Sequence, residues 1–426
     1  MKLTTLLRNR TVKNAGWIIG GRLTNKVLAF IVSILTARYL GPSNFGLINY
    51  AATYTTFFAS LCNLGISSII IKNFSDYPEE SGEAIGTALV LRALSSFLSA
   101  IMIVGVVSIV DRGEPLTIVV VALSSIGLLF QIFDTYNQWF QWRLQSKYAA
   151  IATVISYIVV SGYKIVLLIL GKSVVWFAIA TSVDYAVVAI FLLLAYKKNE
   201  GKRLRFSWKK AKQLIGASNS FIISGLMVSI YAGTDKLMLK QLMDDAMVGY
   251  YGVAVSLSTM WGFVLQAVID SVSPRIIDFW GKDRRMFERR NRQLYAMVFY
   301  FAVGVSLVIS LLAKPIVLIL YGQQYAPTVL PLRIVVWYTA FSYLGVARNA
   351  WMVCENRQKY LKYLYTAAAA INVVLNWFLI PIWGAAGAAA TSLLTQIATT
   401  IFLPAVIKPL RPNVKLMLEA ILLRDL

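Results

Sequence analysis

The sequence predicts an all-α polytopic membrane protein of about twelve transmembrane helices, arranged as two six-helix bundles around a central cavity. Three observations carry that fold class. Hydrophobic residues make up 58% of the 426 positions, charged residues only 14%, and mean hydropathy is +0.67. A soluble domain carries about 25% charged residues, so this much apolar surface needs lipid around it. Apolar runs of roughly 20 residues, the length that crosses about 30 Å of hydrocarbon, recur along the whole chain. Lysine and arginine gather in the short connectors between those runs, as they do on the cytoplasmic side of membrane proteins.

The runs lie near 15–39, 44–68, 84–110, 116–139, 148–170, 174–196, 215–239, 247–271, 294–320, 329–354, 360–381 and 384–407. They are too long and too continuously apolar for barrel strands, which leaves helices as the way to satisfy backbone polar groups in lipid. The first run follows a basic, mildly amphipathic stretch, MKLTTLLRNRTVKN, and has no A-x-A cleavage site, so it reads as a retained span. The even-numbered connectors hold most of the basic charge, as in KKNEGKRLRFSWKKAK, RIIDFWGKDRRMFERRNR and ENRQKYLK, and both tails are basic too. KNFSDYPEESGEA is an acidic exception, and acidic residues weigh little in this rule. Odd-numbered connectors such as LGPSNFG, DRGEP, GKS and IPIWG are short and nearly neutral. Both termini are expected in the cytoplasm, and the membrane is expected to be a bacterial plasma (inner) membrane.

The basic stretch between Lys197 and Lys212 divides the chain into an N-terminal lobe with its connector, 1–208, and a C-terminal lobe with a cytoplasmic tail, 209–426. A weak internal repeat supports the division: RYLGPSNFGLINYAATYTTF aligns with KQLMDDAMVGYYGVAVSLSTM, with Phe45-Gly46 over Val248-Gly249. Six spans per half give both copies one topology, the pattern of a parallel repeat about the membrane normal.

Composition also excludes some chemistry. Histidine is absent, which removes His-ligated metals, Ser-His and Cys-His nucleophiles and histidine proton relays. Cys62 and Cys354 stand in apolar runs of different halves and suggest neither a disulfide framework nor a metal motif. The net charge of +22 lies in connectors rather than along one exposed face, so it reads as membrane topology and not as nucleic-acid binding.

Over essentially its full length the chain resembles the polysaccharide-exporter branch of the multidrug/oligosaccharidyl-lipid/polysaccharide (MOP) superfamily. The residues carrying the resemblance are ARYLGPSNFGLINYA, LCNLGISSIIIKNF, TDKLMLKQLMDDAMVGYYGVA, SPRI, LYGQQYAPTVLPLRI and NVVLNWFLIPIWGAAGAAATSLLTQ, in that order. Gly41-Pro42 and Gly46 suit a sharp turn at the membrane face, and GAAGAAAT gives the last span a surface that allows close helix contact. The resemblance implies a flippase for polyprenyl-diphosphate-linked oligosaccharide, working by alternating access, with the polymerase and chain-length machinery as further partners. It is not expected to be an enzyme.

Charge inside membrane helices costs about 2.5–3.5 kcal/mol per residue on insertion scales, so such residues are there for a reason. Arg22 and Lys26 lie four apart on one helical face, Arg92 is deep in the third span and Lys164 is in the fifth. Facing a common cavity, these four would make a positive pocket for a phosphate or diphosphate. Arg22 and Lys164 are near enough to span ends to snorkel instead. Arg348, in the tenth span, is a further substrate-binding candidate. Asp184, central in the sixth span, suits a proton or sodium site or an ion pair with one of the basic groups. Asp235-Lys236 matches the resembled family's acidic-basic step and is expected to form a structural ion pair. Asp134 and Asp270 read as membrane-edge residues, and Tyr136, Trp139 and Trp142 either stack on sugar rings or belong to an interfacial belt. No cofactor is expected beyond coupling to a proton or sodium gradient or to the membrane potential. An inside-negative potential favours outward movement of an anion by about 2.3 kcal/mol per charge per 100 mV. Two other functions fit less well: a multidrug/cation antiporter would want an acidic cavity, and a polymerase or glycosyltransferase would want a large external loop.

Overall fold

The structure, a computed structural model, describes residues 10–199 and 201–424; the side chains of residues 10–28, 68, 219–221, 223, 224, 227, 228 and 231 lie outside the description. Among the described residues every regular element is helical. Eight helices there are long and apolar enough to cross a membrane, and a ninth span arises if Gln323–Val335 and Tyr338–Cys354, bent by 43°, count as one. The expected spans near 15–39, 44–68 and 215–239 fall in the helices Arg10–Cys62 and Trp208–Leu242, outside that count.

The helix Ser81–Val110 shows how the sequence pattern suits lipid. Arg92, Ser96, Ser99, Ile103 and Val107 recur every three or four residues and are buried, which puts the polar groups on one inward face. Leu94, Phe97 and Leu98, 58–59% exposed, point the other way. This reversal of the soluble pattern is stable only where the outside is hydrocarbon. Leu361–Trp383 repeats it: Leu364, Ala368, Asn372, Asn376 and Ile380 are buried at four-residue intervals, while Trp377 and Phe378 are exposed.

Two compact units are resolved. One comprises Met1–Leu40 and Leu47–Ser229, the other Gly41–Gly46 and Ile230–Leu426. The division therefore falls inside the helix Trp208–Leu242 rather than at 208/209. The start of that helix belongs with the first unit because Leu214 is buried in its core beside Ile66, Phe74, Tyr136, Phe140 and Tyr196. The core of the second unit gathers Leu265, Phe287, Tyr295, Leu344 and Trp351, and the helix Arg411–Ile421 seals it with Met417 and Ala420.

Glycine acts at two places. Gly41, with φ +73°, breaks the long helix Arg10–Cys62. Gly46 and Gly249, the two positions aligned by the internal repeat, lie in close approach within the second unit. A Cβ at Gly46 would stand 1.7 Å from the Asp245 carbonyl oxygen, and one at Gly249 would stand 2.1 Å from that of Pro42. Gly46 is thus a contact residue within a helix rather than part of the turn.

Candidate functional site

In the first unit the helices Lys147–Ile169 and Val174–Lys198 pack side by side and bring Lys164 and Asp184 to one cavity. It has a volume of about 250 Å³ and is also lined by Val32, Tyr157, Ser161 and Thr181. Ser156 donates to the Asp184 carboxylate at 2.5 Å. The Lys164 ammonium makes no hydrogen bond or ion pair among the described residues, although Asp184 attracts it across the cavity. A cation held in an apolar bundle without a bonded partner keeps its hydrogen-bonding capacity for something that arrives.

Arg92 does not line that cavity. Arg92 is only 1% exposed; its guanidinium donates to Thr135 Oγ1 and to Ser67 Oγ, each at 3.0 Å. The nearby Asp134 carboxylate, which accepts from Asn137 at 3.1 Å and Gln138 at 3.0 Å, adds a compensating charge. Hydroxyls from two neighbouring helices take two of its N–H donors, so Arg92 joins these elements together, while its buried Nε has no hydrogen-bond partner among the described residues. The side chains of Arg22 and Lys26 lie outside the described residues. Arg348 is in the second unit, 4% exposed, and donates to the Thr399 carbonyl at 3.3 Å where the last span widens to a π-helical turn, Ala398–Phe402. It is therefore not part of the Lys164 cavity.

Asp235 is held by a set of neutral donors beside Lys236. Its Oδ1 accepts from Asn372 at 2.9 Å and Asn376 at 2.7 Å, and its Oδ2 from Tyr251 at 2.6 Å and Ser392 at 2.5 Å. Four neutral donors from three other helices enclose the carboxylate, and the Lys236 charge is close enough to interact with it. The sequence reading missed the donors. The available signal was Asn372 and Asn376 four apart on an otherwise apolar span, hence on one face. Close helix approach makes the cluster possible: a Cβ at Gly387 would stand 2.2 Å from the Leu379 carbonyl, so only glycine lets these helices meet. Among the described residues, no group of three or more cysteine, aspartate and glutamate side chains could hold a metal ion.

Residues 11–280, well over half of the 426, match the family described as polysaccharide biosynthesis protein. The chain belongs to that family. No curated protein matches it in sequence. Solved structures similar to this polysaccharide biosynthesis family member include a lipid II flippase and transporters of the MOP superfamily. A lipid II flippase, MurJ, in an inward closed conformation has a TM-score of 0.76 at 14% identity, over 94% of this chain and 90% of its own. An inward-facing multidrug resistance MATE transporter has a TM-score of 0.66 at 16% identity, over 91% and 96%. A MOP transporter from Pyrococcus furiosus, described as having a binding pocket of reversed polarity, has a TM-score of 0.62 at 15% identity, over 96% and 99%. The chain is a multi-pass membrane protein with the MOP transporter fold.

Proposed function

We propose that this protein is a flippase that carries a polyprenyl-diphosphate-linked oligosaccharide, the repeat unit of an O-antigen, capsule or exopolysaccharide, from the cytoplasmic to the outer leaflet of a bacterial plasma membrane. The two lobes alternate access, and the lipid tail stays in the bilayer. Family membership supports the pathway, and the Lys164 ammonium supports the anionic head group. With no hydrogen-bond partner among the described residues, it offers three donors to a phosphate oxygen, while Asp184 keeps the empty site near neutrality. In cells whose surface polysaccharide depends on this protein, Lys164→Ala should lower surface polymer by about tenfold or more at unchanged membrane abundance, with Lys164→Arg largely active. Normal export by Lys164→Ala would sink the reading.

In the same reading sodium drives the cycle, and it binds at Asp235 rather than Asp184. A single carboxylate among amide and hydroxyl groups becomes an all-oxygen cage when Asn372 and Asn376 turn their carbonyl oxygens inward. At Asp184 the facing Lys164 already opposes a second cation. Replacing choline by sodium should raise the unfolding temperature of the purified protein, and Asp235→Asn should abolish the shift. An equal shift in both proteins, or none in either, rejects the assignment.

A further inference from the structure

The first unit contains a second cavity, of about 510 Å³, that shares no lining residue with the one at Lys164. This size falls in the range of small-molecule sites, about 300–1,000 Å³. It lies at the end of the unit where connector charge marks the cytoplasmic face, between the Pro78–Glu80 turn, the end of the helix Thr135–Trp142 and the basic connector. Its walls are Glu79, Ser81, Trp139, Trp142, Arg143 and Lys202.

The aromatic wall is packed against the core and the charged rim is internally bonded. Trp139 packs edge-on against Tyr196 at 4.9 Å, and Trp142 lies 5.6 Å from Phe74, so neither indole is free to turn away. The Arg143 guanidinium sits 5.0 Å from the centroid of the Trp139 ring. The Lys202 ammonium donates to the Glu79 carboxylate at 2.7 Å and to the carbonyls of Pro78 and Glu79 at 3.2 Å each. The connector itself is tied down: Tyr196 donates to the Lys202 carbonyl at 2.9 Å, and the Ser207 amide donates to Thr87 Oγ1 at 3.1 Å.

A half-buried indole beside a guanidinium and a lysine–carboxylate pair complements a sugar ring. The C–H face of a pyranose stacks on Trp142, while its hydroxyls accept from Arg143 and donate to Glu79, which Lys202 holds in place. A bare phosphate would have no use for the indole and would meet the Glu79 carboxylate; an aliphatic ligand would leave the charges without partners. We propose that this cleft binds a sugar unit of the oligosaccharide cargo at the cytoplasmic mouth, apart from the cavity that takes the phosphate. This deepens the flippase reading and rests on it.

The test is calorimetry on the purified full chain. The probes are the repeat-unit oligosaccharide released by mild acid from the surface polysaccharide of the expressing cells and, separately, dihexanoyl phosphatidylglycerol. The oligosaccharide should bind saturably, with affinity reduced about tenfold or more by Trp142→Ala and held within about threefold by Trp142→Tyr. Absence of oligosaccharide binding, or equal binding by Trp142→Ala, overturns the proposal. So does phosphatidylglycerol binding that Arg143→Gln weakens while the oligosaccharide gives no heat, since the cleft is then a lipid-headgroup site. Lys164→Ala separates the two readings: intact export in that variant defeats the flippase assignment and leaves the calorimetric result standing, whereas lost export without sugar binding defeats only the cleft.

Discussion

Each unit places one carboxylate deep among apolar helices with a lysine near it, and the two are built in opposite ways. Asp235 receives four hydrogen bonds from neutral groups of three other helices. Asp184 receives its side-chain bond from Ser156 and opens, with a Lys164 that no described residue hydrogen-bonds, onto a cavity of about 250 Å³. Removing a charge from water is costly unless other polar groups replace the water. At Asp235 the four neutral donors supply the replacement, so the carboxylate is held without a cation in the empty site. At Lys164 the replacement is incomplete, which makes the site receptive to an anion.

The strongest way to break this contrast is to remove the enclosed carboxylate. Asp235→Ala takes the acceptor from four buried donors, although Asn372 with Asn376 at 3.1 Å, and Tyr251 with Ser392 at 2.8 Å, can still pair with each other. With half of the bonding retained, the expected loss is about 2–4 kcal/mol of stability. Cys62 and Cys354 are both free and buried, so a thiol-reactive dye reports unfolding directly. Asp184→Ala, measured alongside, should cost far less. Equal losses would mean that both carboxylates are structural and that openness to a cavity carries no functional meaning.

The fold was legible because lipid imposes a simple rule on sequence: long apolar runs, basic connectors, and glycine where helices must meet. The match of Gly46 with Gly249 in the internal repeat foretold two glycines of equivalent place, though not that they would touch each other. The site was legible only in part. Intramembrane charge singled out Lys164, Asp184 and Arg92 alike, because insertion cost is a property of one residue and its depth, and the resemblance added Asp235. What separates them is the company brought by other helices, and that is not local in sequence. Ser67 and Thr135, far apart in the chain, occupy Arg92, whereas no described residue hydrogen-bonds Lys164. Trp139 likewise reads as an interfacial aromatic yet is 2% exposed, since Tyr196 and Phe140 close over it.

The smallest expected effect sharpens the contrast most. Lys164→Met keeps the length and much of the apolar stem of the side chain and removes only the ammonium. Because that ammonium makes no hydrogen bond among the described residues, none of their donors or acceptors is orphaned by its loss, and Asp184 keeps the Ser156 hydroxyl. The one favourable term removed is attraction across the cavity, offset by the desolvation that the ammonium no longer suffers. Stability in the same dye assay should therefore change by less than about 1 kcal/mol, while export falls as far as in Lys164→Ala. A loss of stability comparable to that of Asp235→Ala would show that Lys164 is held as tightly as Asp235, and the first unit would then have no charge to spare for a passing head group.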